Sequence, residues 1–293
     1  MQLIAQVNTK DSSLGFINES ELERFVLAKI PEIGACQELP ESFYPYYVFT
    51  ASKRFLFFLD SRRTRRISVK KLAHSAVMEE LLFLQRISQN TDYIDQQTTN
   101  QITANWFSGS NALRVFSLYV DLDLDQNGML SQDELLAFTG PNNDQAQLTR
   151  TAVRRIFEEN ITYHPMEMDY KTFLDLYLAL EYKSTVEAMT YFWRILDIDK
   201  CGKLTPTSIK YFYTDIYTSL RATGYEAPAV DNVIVEVYDI LGCNSDPTFE
   251  EFISSDQGHV VISMLLDVNG FWQYDNRESL MHQNASSTDA EQD

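Results

Sequence analysis

The chain has 293 residues, 44% of them hydrophobic and 23% charged, with a formal net charge of −18. This length and balance suit a globular protein with a substantial, ring-rich core. The acidity excludes a general nucleic-acid binder, which needs clustered Lys and Arg. Cys36, Cys201 and Cys243 are too scattered for a disulfide framework or a zinc knuckle, and no apolar run is long enough for membrane insertion. The start, "MQLIAQVNTKDSS", lacks the features of a signal peptide, so a reducing, cytoplasmic location is expected.

In chain order, residues 1–90 read as a helical lobe. It contains "DSRRTRRISVKK" (60–71), which has Asp60 first and the aliphatic Ile67 eighth, as a twelve-residue metal loop requires. Arg62, Thr64, Arg65 and Lys71 fill its other key positions. Cations cannot ligate a cation, so this vestigial loop is expected to be metal-free. Residues 53–71 carry eight basic side chains against one acid, Asp60, a local charge of +7. Two readings stay open. The cations replace a lost metal in a solvated loop, or they form a docking patch for an acidic partner surface.

Residues 91–103 are almost wholly polar and read as a linker. Residues 104–280 read as a second domain, and 281–293 as a disordered tail. Within the second domain, "ALRVFSLYVDLD" places Leu113, Phe116 and Val120 on one helical face, expected to be core.

That helix runs into "DLDQNGMLSQDE" (123–134). A calcium loop of the EF-hand type takes oxygens from positions 1, 3, 5, 7, 9 and 12, with Gly at 6 for the turn. Here these are Asp123, Asp125, Asn127, the Met129 carbonyl, Ser131 and Glu134, with Gly128 at position 6 and Leu130 at the apolar position 8. Every position fits Ca2+, and three carboxylates suggest an affinity on the order of 10⁻⁷ to 10⁻⁵ M.

Further on, "STVEAMTYFWRILDID" opens with Ser184 and Glu187 as an expected capping box. Met189, Phe192, Trp193 and Leu196 form its stripe. The loop that follows, "DIDKCGKLTPTS" (197–208), keeps Asp197, Asp199, Gly202 and Leu204 but has Cys201 at position 5 and Ser208 at position 12. Losing the bidentate Glu argues against metal there. Thr205 and Pro206 then read as N-cap and first turn of a helix with Ile209, Phe212, Tyr213, Ile216 and Leu220 inward, stopped at Gly224.

"EMDYKTFLDL" and "DPTFEEFI" repeat the offset of five between apolar residues seen in Leu130 and Leu135 and in Leu204 and Ile209. The expected pairing sets 123–134 against 161–172 and 197–208 against 240–251. The expected fold is therefore all-α. It is an EF-hand-like helical repeat in two lobes, with paired units in the second and short β-bridges between paired loops. No phosphate-binding glycine loop or nucleophile elbow is present, and His74, His164, His259 and His282 share no ligand spacing. A non-enzyme is expected.

The segments "NWFSGSNALRVFSLYVDLDLDQNGMLSQDELLAF" (105–138), "EMDYKTFLDLYLALE" (167–181), "FFLDSRRTRRI" (57–67) and "DVNGFWQYDNRE" (267–278) resemble the B'' regulatory subunits of protein phosphatase 2A, most closely the gamma-type branch with its plant TONNEAU/FASS-like members. The resemblance implies a non-catalytic subunit that binds the phosphatase scaffold and catalytic subunits and directs substrate choice or localisation. It implies one good calcium site, at 123–134. It also implies centrosomal or microtubule-associated partners, with placement at the centrosome, spindle or cortical cytoskeleton, or in the nucleus. The competing expectation is a free-standing EF-hand calcium sensor or adaptor, which would open a Met-rich groove. A single intact loop and only 8 Met speak against it.

Overall fold

The computed structural model describes residues 15–89, 95–141, 145–160, 162–163 and 166–281. The described residues are mostly helical and fall into two compact units. One holds residues up to 126 together with 173–178, and the other holds the remainder. The division runs through the loop 123–134, which is one continuous segment, and not through the polar stretch 91–103. Part of that stretch is helical, because Asp95 caps a helix there by accepting the Thr98 N–H at 2.8 Å. The expected tail lies outside the described residues, apart from Met281.

The first unit begins with β1 (Phe16–Asn18) and α1 (Glu19–Lys29), followed by α2 (Tyr44–Leu59), β2 (Arg66–Ser68), α3 (Val69–Ala73), α4 (Ala76–Gln89), α5 (Gln96–Ala104) and α6 (Gly109–Leu122). β1 and β2 pair antiparallel, with Ile17 opposite Ile67. The NWFS motif closes this unit's core. Trp106 donates its indole N–H to the Thr50 carbonyl at 3.0 Å, and Asn105 donates to the Glu80 carbonyl at 2.9 Å. Phe107 offers its carbonyl to the Tyr47 hydroxyl at 2.8 Å, and Ser108 caps α6. All four are buried, so each polar group needs the partner it has. Arg54 is buried too. It pairs with Glu80 at 2.9 Å and lies over the Trp106 ring.

The face of α6 differs from the expected one. Ala112, Val115, Tyr119 and Leu122 are buried, whereas Leu113 and Val120 are exposed and Phe116 is half-buried. Ser110, Asn111, Arg114, Ser117 and Asp121 cluster on one side, and the apolar residues spread over about half the circumference, an arc wide enough for two stripes between which periodicity cannot choose. The core takes the stripe led by small Ala112.

The second unit contains α7 (Gln132–Leu135), α8 (Arg150–Glu159), the ends of α9 (Tyr170–Glu181), α10 (Val186–Leu196), α11 (Pro206–Ala222), α12 (Val230–Leu241), α13 (Phe249–Ser254), α14 (Gly258–Leu266) and α15 (Val268–Asp275). The expected stripes of α10 and α11 are all buried. Thr205 caps α11 with Pro206 in its first turn, and Gly224, at φ +82°, takes the left-handed conformation that stops it. The cap of α10 is Thr185, not Ser184. Its hydroxyl accepts the Ala188 N–H at 3.3 Å, and Glu187 falls one position too early for a capping box. The FWQYDNRE motif is a clamp. Phe271 packs on Tyr213, Tyr274 donates to Glu236, and Asn276 donates to the Tyr225 hydroxyl at 2.9 Å.

Candidate metal centre

The loop 123–134 is built from both ends. α6 delivers Asp123, whose N–H still bonds the Tyr119 carbonyl at 3.2 Å. Gln126 and Gly128 then turn the chain through the left-handed region, at φ 58° and 83°. Leu130 pairs with Met168 in a short antiparallel bridge. Ser131 caps α7 in a reciprocal box. Its N–H and hydroxyl both donate to one Glu134 carboxylate oxygen, at 2.8 and 2.7 Å, and its Oγ accepts the Glu134 N–H.

The result is a convergence of acids. Oxygens of Asp123, Asp125 and Glu134 all lie within 4.8 Å of one another, with Glu134 buried, Asp123 half-buried and Asp125 exposed. Two oxygens on opposite sides of one calcium ion are at most about 5 Å apart, given metal–oxygen distances near 2.3–2.6 Å. The spread therefore fits one ion. Without a cation, three carboxylates this close repel by on the order of 1 kcal/mol per pair at the dielectric of an exposed site. Among the described residues no other group of three acids, cysteines or histidines gathers in this way.

The remaining expected ligands are placed less directly. Ser131 adjoins Glu134. Asn127 turns its carbonyl oxygen to the Met129 N–H at 2.7 Å and its amide to Glu167 at 2.9 Å, so it buttresses the turn. Met129 has only its backbone carbonyl to offer a metal. The residues that would hold calcium are thus Asp123, Asp125 and Glu134 first, with Asn127, Ser131 and the Met129 carbonyl completing an oxygen shell. The ion would supply charge neutralisation and a fixed loop shape.

The degenerate loops show how the same shape is kept without such a cluster. At 197–208, both Asp197 oxygens accept backbone N–H groups, from Cys201 at 3.0 Å and Gly202 at 2.9 Å. At 60–71, Asp60 accepts the Arg65 N–H at 2.6 Å and the Thr64 hydroxyl at 3.0 Å. Lys71, where a calcium loop has its Glu, donates to the Leu59 carbonyl at the end of α2 at 2.8 Å. A cation there complements the helix C-terminus.

One unit is absent from the sequence reading. Ile17 pairs with Ile67, Asn18 caps α1, and Glu21 closes a capping box on Asn18. Gly15, at φ 76°, precedes them. Gly15, Ile17, Asn18 and Glu21 match positions 6, 8, 9 and 12 of a loop, the same offsets as Gly128, Leu130, Ser131 and Glu134. The vestigial loop 60–71 is therefore paired, not solitary. The signal was in "GFINESE", but residues 10, 12 and 14 offered no run of acids to draw attention to it. The other two pairs stand as expected, with Leu130 bridging Met168 and Leu204 donating its N–H to the Pro247 carbonyl at 2.8 Å.

No family model matches the chain. It is 37% identical over 279 residues to the gamma-type B'' regulatory subunit of serine/threonine-protein phosphatase 2A from Bos taurus, covering 94% of this chain and 58% of the relative. It is 32% identical over 282 residues to TON2 of Arabidopsis thaliana, a probable B'' regulatory subunit of the same phosphatase, covering 93% and 56%. A chain from a solved PP2A PR70 holoenzyme shares the fold with a TM-score of 0.75 at 19% identity, over 93% of this chain and 97% of that one. The chain spans a little over half the length of the curated relatives it matches. By descent, then, the chain belongs to the B'' family of protein phosphatase 2A regulatory subunits, with the gamma-type members matching it along nearly its whole length.

Proposed function

We propose that this chain is a non-catalytic regulatory subunit of protein phosphatase 2A, which binds the scaffold and catalytic subunits and directs substrate choice or localisation. The observation that carries the proposal is the 37% identity to gamma-type B'' proteins over 94% of the chain. In this reading calcium at 123–134 is a control point. It stiffens the turn between α6 and α7, while the much larger helical surface does the binding. Placement at centrosomes, the spindle or cortical microtubules is part of the same proposal. Affinity capture of the tagged chain from cell extract tests it. Recovery of the scaffold and catalytic subunits supports the reading. Their absence, with calcium-dependent capture of other proteins, replaces it with a free-standing sensor.

A further inference from the structure

Among the expected calcium ligands, Asn127 alone can present either of two chemically opposite ends. Its amide carries an acceptor oxygen and a donor nitrogen, and only the oxygen can meet a cation. The torsion that exchanges the two ends is broad and roughly two-fold, so the side chain itself does not choose between them. Two contacts make the choice. Asn127 Oδ1 accepts the Met129 N–H at 2.7 Å, and Asn127 Nδ2 donates to Glu167 Oε1 at 2.9 Å. Reversing the amide would set its nitrogen against the Met129 N–H and its oxygen against a carboxylate, turning both contacts repulsive. A carbonyl oxygen has two lone pairs, so accepting the Met129 N–H does not bar Oδ1 from a cation.

Glu167 is well placed to enforce this orientation. It comes from the segment that returns beside the loop, and its backbone is held on both sides. Its neighbour Met168 exchanges both backbone hydrogen bonds with Leu130, each 2.8 Å long. Its own N–H donates to the Tyr163 carbonyl at 3.0 Å, and its carbonyl accepts the Tyr163 N–H at 2.8 Å. The half-buried Glu167 carboxylate is thus presented from a fixed stretch of backbone to the exposed Asn127. Glu167 is not one of the acids whose oxygens gather at the loop centre, which are Asp123, Asp125 and Glu134. It touches a residue of the expected oxygen shell without joining that cluster. A group that holds a metal ligand from behind fixes its orientation, and losing one typically costs about 10–100-fold in affinity.

We infer that Glu167, contributed by the paired segment and not by the loop 123–134, is a positioning residue for calcium, holding the Asn127 amide with its oxygen toward the ion. The inference rests on the reading of 123–134 as a calcium site. It makes the affinity of that loop depend on its partner segment, which has no metal cluster of its own among the described residues.

The test is calorimetric titration of calcium into the metal-free full chain. E167A is expected to weaken binding by about tenfold, the lower end of what losing such a contact costs. E167Q keeps an oxygen that can accept the Asn127 amide, and should stay within about threefold of the wild type. N127D keeps an oxygen ligand but has no N–H to give Glu167, so adding E167A to N127D should change affinity by less than about twofold. Melting temperatures in chelator should agree across the set. Wild-type affinity in E167A overturns the inference, as does a loss in E167Q as large as that in E167A. An E167A effect of the same size in N127D also overturns it, because Glu167 would then act through charge or packing. Absence of calcium binding by the wild type overturns the calcium reading itself and the inference with it, a result distinct from the other three.

Discussion

Leu130 and Met168 exchange both of their backbone hydrogen bonds, each 2.8 Å long, and both side chains are fully buried. This bridge ties the eighth position of the acidic loop to the segment that returns beside it. Ile17 with Ile67, and the Leu204 N–H with the Pro247 carbonyl, do the same for the other pairs. The loops are thus anchored through apolar residues and backbone, with the ligands outside the anchor. Leu130→Ala should therefore cost about 2–4 kcal/mol through the cavity it leaves. Urea unfolding checks this, and a loss under about 1 kcal/mol would show that the bridge is not part of the core.

Glu134→Gln should separate calcium from fold. Glutamine can still close the capping box with Ser131 but cannot supply a bidentate carboxylate. Calorimetry should show calcium affinity reduced by at least about tenfold, because one formal charge and the bidentate contact are lost. The calcium-free melting temperature should move by only a few degrees, as expected for a change of about 1 kcal/mol or less.

Two glycines should respond differently to alanine. At Gly128 an added Cβ meets nothing within 4 Å, so only the left-handed backbone resists, at about 1–2 kcal/mol. At Gly109 the Cβ would sit 2.7 Å from the Ala35 carbonyl oxygen. That backbone contact should cost more than the roughly 1 kcal/mol that alanine gains in a helix. Denaturation midpoints of the two variants, measured without calcium, test the contrast.

Thiol reactivity should follow burial. Burial pushes the Cys36 thiol up to about 11, while Cys201 is exposed. Iodoacetamide at pH 8 should label Cys201 in the native chain and reach Cys36 only after unfolding. Rapid native labelling of Cys36 would mean that the first unit opens readily.

Glu251 offers a pH test. It accepts the Thr248 backbone N–H and then the Thr248 hydroxyl, which hold its carboxyl below the usual glutamate range. A depressed folded value stabilises the fold above the unfolded pKa, and that stability is lost as pH falls through the folded one. NMR titration should show a low midpoint that rises part-way in Thr248→Ala, which keeps the N–H and loses the hydroxyl. No rise would mean that the hydroxyl contributes nothing.

Much of this arrangement is legible in the chain itself. The loop 123–134 was readable because ligand chemistry demands specific side chains at fixed offsets, and α11 because Thr205, Pro206 and Gly224 mark its ends. The buried face of α6 was not readable, since its apolar arc is wide enough for two stripes and only what packs against it selects one. The pairing of Ile17 with Ile67 was missed for a related reason. A bridge needs only backbone and one aliphatic residue per strand, and leaves almost no signature once ligands are gone. The fate of the basic residues at 53–71 was hidden as well, because Asp175 and Glu80, which take up Lys53 and Arg54, lie far away in sequence.

The central claim is assembly with the phosphatase. The most direct measurement is reconstitution of the purified full chain with purified scaffold and catalytic subunits, followed by size-exclusion chromatography with light scattering, in millimolar calcium and in chelator. A co-eluting complex of one copy of each subunit is the expected result. Elution of the chain alone in both conditions, with the other two subunits together in a separate peak, would contradict it.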